Sequence, residues 1–283
     1  MDLDACCRDG NAFHQRTLEI DADGLMKQSI SVALLPSLIT SDLRQDETQS
    51  LRCAIVIDVL RATSVMTTAG RNGAASLQTC GEVDLARELA DGTAPHLRPL
   101  LCGERACVPI KGFDLGNSPA EYPSSVVANR HVLLTTTNGT KAIAAVQHAK
   151  RLLIASFLNL TATVNSVADE QDLLIVCAGT EGQISYEDVL LAGAIVDGLM
   201  QRDTSNKVDD SARMAWASWQ QACATGKPLA ESLGLSLGGR NLLRVGYAED
   251  LQRCAVIDSA NGIVERDPKN RSEGVVTFGW KDA

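Results

Sequence analysis

The stretch "CAIVIDVLRATSVMTTAGRNG", Cys53–Gly73, decides how the rest of the chain is read. Its first part, Cys53–Leu60, is a β-branched apolar run of buried-strand length. The residues from Thr63 to Gly73 read as a short helix ended by glycine. Outward from this unit the alternation repeats. "ASLQTC" and "EVDLARELAD" follow, then "RPLLCGE", "HVLLTTT" and "GTKAIAAVQHA". "RLLIASF" and "DLLIVCAG" flank "TATVNSVADE", and "YEDVLLAGAIVDGLM" (Tyr186–Met200) is a strong helix. Near-continuous apolar strands alternating with helices imply an α/β fold with a mainly parallel sheet covered on both faces.

Residues 1–29 read as a polar extension and residues 30–260 as the α/β domain, with a polar break, "QRDTSNKVDDS", near 201–211. Helical segments follow that break. Residues 261–283 read as a polar tail with a short strand-like finish.

The 283 residues carry a net charge of −9, which disfavours nucleic acid and anionic membrane surfaces as partners. An anionic ligand must then be drawn by local cations or a metal. The nine cysteines are odd in number, irregularly spaced and form no C-x-x-C pair. They read as small buried hydrophobes in a reducing compartment. With no leader-like start and no bilayer-length apolar run, the expected location is the cytoplasm.

In open α/β sheets, ligands bind beyond the carboxyl ends of parallel strands. Four stretches follow such ends. "DVLRATS" places Asp58 to reach a metal and Arg61 to fork onto an oxyanion, with Thr63 and Ser64 as helix caps. "GERACVPIKGFDLGNSPAEY" is a long loop offering Glu104 and Asp114 as metal ligands and Arg105 and Lys111 as anion contacts. "TTTNGTKAI" suggests an anion nest of amides at Asn138, Gly139 and Thr140. "CAGTEGQISYEDV" carries Gly179 after its strand, and Glu187 and Asp188 in a first helical turn. Each stretch alone also fits an ordinary strand–turn–helix junction.

None of the four histidines lies in a paired motif, and no cysteine has an arginine six positions on. P-loop, dinucleotide and serine-elbow motifs are absent as well. What remains is carboxylates with arginines, a donor set that suits Mg²⁺ and phosphoryl transfer to water. In that reading Asp58 and Glu104 hold the metal, and Arg61 and Arg105 stabilise the phosphoryl oxygens. Asp114 or Glu187 serves as general base.

"IDVLRATS", "GER", "GFDLGNSPAEY", "TTTNGTKAI", "SFLN", "CAGTEGQISYEDVLLAGA", "GRNL" and "DLQRCAVID" occur in this order. Together they resemble the 2-phosphosulfolactate phosphatase (ComB) family. The resemblance implies a three-layer α/β/α architecture and a homodimer. It also implies magnesium-dependent hydrolysis of 2-phosphosulfolactate to sulfolactate and phosphate, which in methanogens is a step towards coenzyme M. It points to the matched motifs, Asn117 included, as the pocket. Two alternatives stay open: an aspartyl-phosphate mechanism on another phosphorylated 2-hydroxy acid, and a non-catalytic binder of sulfonates or phosphates.

Overall fold

A computed structural model describes residues 27–39, 51 and 53–283. The expected extension, residues 1–29, lies almost wholly outside them. The strands are β1 (Ser29–Ala33), β2 (Cys53–Ile57), β3 (Ser76–Cys80), β4 (Leu100–Arg105), β5 (Val108–Pro109), β6 (His131–Thr135), β7 (Arg151–Ala155), β8 (Asp172–Cys177), β9 (Lys207–Val208), β10 (Gly262–Ser272) and β11 (Val275–Asp282). They form one sheet in the order β5-β4-β6-β3-β11-β10-β7-β2-β8-β1-β9. The fold class read from the sequence is the one seen: α/β, mixed, mostly parallel, with helices on both faces.

The segment read as a tail is the sheet's midpoint. β10 and β11 form a hairpin that pairs antiparallel with β7 on one side and β3 on the other. Its inner residues Val264 and Phe278 are fully buried. The charged, proline-containing run "ERDPKNRSE" hid this hairpin, because alternation shows only at its ends.

The hairpin has a topological consequence. β7, β2, β8, β1 and β9 are mutually parallel, as are β3, β6 and β4. Three antiparallel pairings between the sets make them run in opposite senses. The expectation of a single shared parallel edge is therefore corrected. A twist of about 20° per pair sums to roughly 100° over the five pairs from β2 to β6. Even so the regions just past β2 and β6 meet, for a Cβ on Gly139 would stand 2.8 Å from Asp58 Oδ2.

Against the sheet lies helix α1 (Ala62–Arg71), buried along its length except at Arg71. Its residues Ala62, Val65, Met66 and Ala69 share one apolar cluster with Val56 of β2, Leu134 of β6, Val176 of β8 and Phe278 of β11. A helix so enclosed must satisfy its own hydroxyls. Thr67 and Thr68 do so by donating to the carbonyls of Thr63 and Ser64, four residues back.

The outer faces are covered separately. α2 (Val83–Asp91) lies over β4, β6 and β3 around Leu101 and Leu133. α5 (Leu160–Val167), α6 (Tyr186–Arg202) and α7 (Asp210–Ala224) cover the other half around Ile55 and Ile175. Between them in sequence come α3 (Ser124–Val127) and α4 (Gly139–Ala145). Three short helices follow α7: α8 (Leu229–Gly234), α9 (Leu237–Arg244) and α10 (Ala248–Cys254). The described cysteines are all free, and Cys53, Cys80, Cys102, Cys177 and Cys254 are buried.

Candidate active site

The site gathers where α1, α4 and α6 begin. Asp58 leaves β2 and is 8 % exposed. Its Oδ1 accepts from the Ala62 amide at 3.3 Å, so Asp58 itself caps α1. The expected cap, Thr63, instead ties down the Asp58 backbone, donating its hydroxyl to the Asp58 carbonyl and accepting from the Asp58 amide. A Cβ on Gly139 would lie 2.8 Å from Asp58 Oδ2, so only glycine lets the start of α4 come this close. Burial pushes the Asp58 carboxyl up to about 7, aided by the negative charges of Glu104 and Glu187 and opposed by the Ala62 and Gly139 amides.

Arg61 is 2 % exposed and is held on three sides. Nη1 donates to Asp250 Oδ2 at 2.7 Å, Nη2 donates to the Cys107 carbonyl at 3.3 Å, and the guanidinium lies 4.3 Å from the centre of the Tyr247 ring. Asp250, equally buried, also accepts from the Ser118 hydroxyl at 2.7 Å. A buried pair of this kind is held in one geometry by its partners.

Glu104 closes the cluster. Its two carboxylate oxygens accept from the amides of Thr137 and Cys107, at 2.9 and 2.7 Å. Ala106 and Cys107, which join β4 to β5, both adopt positive φ, 51° and 64°. Non-glycine residues are strained there, and Glu104 and Arg61 together bind both backbone polar groups of Cys107.

Glu187 and Asp188 open α6 and are 2 % exposed. Asp188 accepts from the Val59 and Gly179 amides, at 2.9 and 3.0 Å, and so locks the ends of β2 and β8 together. Burial, then the charges of Glu187 and Asp58, push its carboxyl well above the usual carboxylate range. Burial raises Glu187 as well. Glu187 Oε2 is buried without a partner, and a Cβ on Gly238 would stand 2.1 Å from Glu187 Oε1.

The structure thus brings Asp58, Arg61, Glu104 and Glu187 together, with Asn138 and Gly139 alongside and Asp188 behind. Asn117 is buried beside Ser118, its Oδ1 without a partner. Other expected residues are engaged elsewhere. Arg105 donates to the carbonyls of Glu104 and Gly81. Asp114 pairs with Arg98 at 3.0 Å and accepts from the Leu101 amide at 2.8 Å. Lys111 is exposed, and its carbonyl accepts from Arg87 of the outer helix α2. Two members of the expected nest of amides have partners within the chain. The Gly139 amide serves Asp58, and the Thr140 amide and hydroxyl bind the Thr136 hydroxyl and carbonyl.

The sequence reading missed Asp250, Tyr247 and Ser118 as supports of Arg61. The only signal was that Asp250 opens "DLQRCAVID" and Ser118 sits inside "NSPAEY".

Carboxylates and one fixed guanidinium gather at the starts of three helices in an α/β fold, an arrangement of the kind found in enzyme sites that handle phosphate esters. The comparisons narrow the class. A family model for 2-phosphosulpholactate phosphatase matches residues 38–267, and the chain belongs to that family. Relatives named probable 2-phosphosulfolactate phosphatase include one from Symbiobacterium thermophilum, 42% identical over 205 residues, covering 72% of this chain and 86% of the relative. One from Thermotoga petrophila is 38% identical over 208 residues, covering 73% and 86%. One from Microcystis aeruginosa is 34% identical over 226 residues, covering 76% and 90%. Among the described residues no helix is long and apolar enough to cross a membrane.

Proposed function

We propose that this chain is a magnesium-dependent phosphatase that hydrolyses 2-phosphosulfolactate to 3-sulfolactate and phosphate. The observation that carries the reading is the burial of Asp58, Glu104 and Glu187 beside one fixed guanidinium, Arg61. Burial and the charges of Glu104 and Glu187 raise the Asp58 carboxyl, and a cation beside it removes that cost.

The donor set fits magnesium. Asp58 and Glu104 each use two amides of the roughly four acceptor positions a carboxylate offers. Glu187 Oε2 has no partner at all. A metal held by few carboxylates and several waters is the habit of Mg²⁺. Bound there by Asp58 and Glu104, it supplies neutralisation of phosphate charge and a more acidic water.

The chain's own groups supply the rest. Arg61, its Nη1 fixed by Asp250, turns its remaining N–H groups to the phosphoryl oxygens as charge builds on them. Glu187 takes a proton from the attacking water. The water oxygen bonds to phosphorus, the ester P–O bond breaks, and the proton taken by Glu187 passes to the departing C2 oxygen. Asp114 is engaged by Arg98 at 3.0 Å and by the Leu101 amide, which leaves Glu187 as the base of this reading. A homodimer and a cytoplasmic setting belong to the same proposal, supported by the family resemblance.

Phosphate release from 2-phosphosulfolactate with magnesium tests it. Asp58→Asn and Arg61→Ala, assayed separately, should each lose about 100-fold or more in kcat. Near-normal turnover in both variants defeats the assignment.

A further inference from the structure

The other end of α1 opens into a cleft of about 360 Å³. Arg71 and Asn72 face it from the end of α1, and Arg253 faces it from α10. Pro119, Leu158 and Val256 give it apolar walls. No aspartate or glutamate lines it, in a chain whose net charge is −9. A volume of this order is that of a small-molecule site, in which a few polar groups orient an apolar body.

Both guanidiniums keep donors free. Arg71 is exposed and uses Nη1 on the Ser259 carbonyl, at 3.0 Å. Arg253 pairs through Nη2 with Glu249 at 2.8 Å, and that glutamate is 82% exposed. An exposed pair four residues apart on a helix is a weak competitor. Arg253 Nη1 also lies 4.0 Å from Asp250 Oδ1, and the Arg253 side chain is 41% exposed. Each guanidinium has five N–H groups, so two of them exceed what these partners occupy.

We propose that this cleft is a second anion-binding site, separate from the acid cluster. It takes a small organic acid, the phosphate, sulfonate or carboxylate group on Arg71 and Arg253 and the carbon body on the proline, leucine and valine wall. The inference stands on the cleft itself and does not depend on the phosphatase reading.

Isothermal titration of the full chain without magnesium tests it, with inorganic phosphate, methanesulfonate and acetate as separate probes. At least one probe should bind wild type, and the order of affinities identifies the preferred head group. Arg71→Ala and Arg253→Gln should each weaken that binding about tenfold or more, whereas Arg61→Lys, which keeps a cation on Asp250, should leave it unchanged. Arg71 is exposed at a helix end, so its variant should melt like wild type, and a melting curve verifies that. Equal affinity in wild type and Arg71→Ala overturns the site. So does binding lost on Arg61→Lys alone, or no binding of any probe to wild type.

Discussion

The two ends of α1 obey the same rule with different results. Asp58 accepts from the first amide of α1, with Glu187 and Asp188 of α6 nearby, and an arginine sits at the carboxyl end of α1, as the helix dipole favours. At the carboxyl end Arg71 stays in water. At the amino end Asp58, Glu187 and Asp188 are buried, and burial outweighs the dipole, because their pKa values rise where the dipole alone would lower them. The difference teaches that an acid's place on a helix fixes the sign of one small effect, while its depth fixes the cost of its charge.

The largest test of that contrast is Asp250→Ala. It strands the Arg61 charge at 2% exposure, so denaturant melts should show a loss of about 3–5 kcal/mol. A loss under 1 kcal/mol would mean that depth matters less here than claimed.

A pH series in chelator comes next. The Asp58 pKa is raised from 3.8 to about 7, so the folded chain binds more protons than the unfolded one between those values. Metal-free stability should therefore be highest near the lower value and fall as pH rises towards 7, by a few kcal/mol in order of magnitude. Glu187 and Asp188 act in the same direction. Asp58→Asn should flatten the fall, and magnesium should reverse it. A Tm that climbs over this range contradicts the assignment.

Gly238→Ala follows. Its Cβ would stand 2.1 Å from Glu187 Oε1, so the expected cost is about 1–3 kcal/mol, with lower turnover. The smallest effect belongs to the open end: Arg71→Ala should shift stability by no more than about 0.5 kcal/mol.

Much of this was legible in the sequence. Asp58 and Arg61 follow the end of β2, as the sequence implies, whereas Glu104 lies within β4 and Glu187 in the first turn of α6. Arg105 was not separable from Glu104, because consecutive strand residues face opposite sides of a sheet, and no single sequence says which side is inner. Asp114 looked like a ligand because its partner Arg98 lies on the far side of β4 in sequence. Asp250 and Ser118 were unreadable as a pair, since 132 residues separate them. The hairpin escaped because its charges mask the period-two pattern that marks a strand.

That hairpin also sets the order in which the protein can be made. Cys80 waits for Val275 and Ile154 waits for Val264. While the nascent chain grows, both half-sheets present bare flanks that invite strands from neighbouring molecules. Translation of the hairpin removes the hazard, so a chaperone's protection is most valuable in the interval just before it emerges.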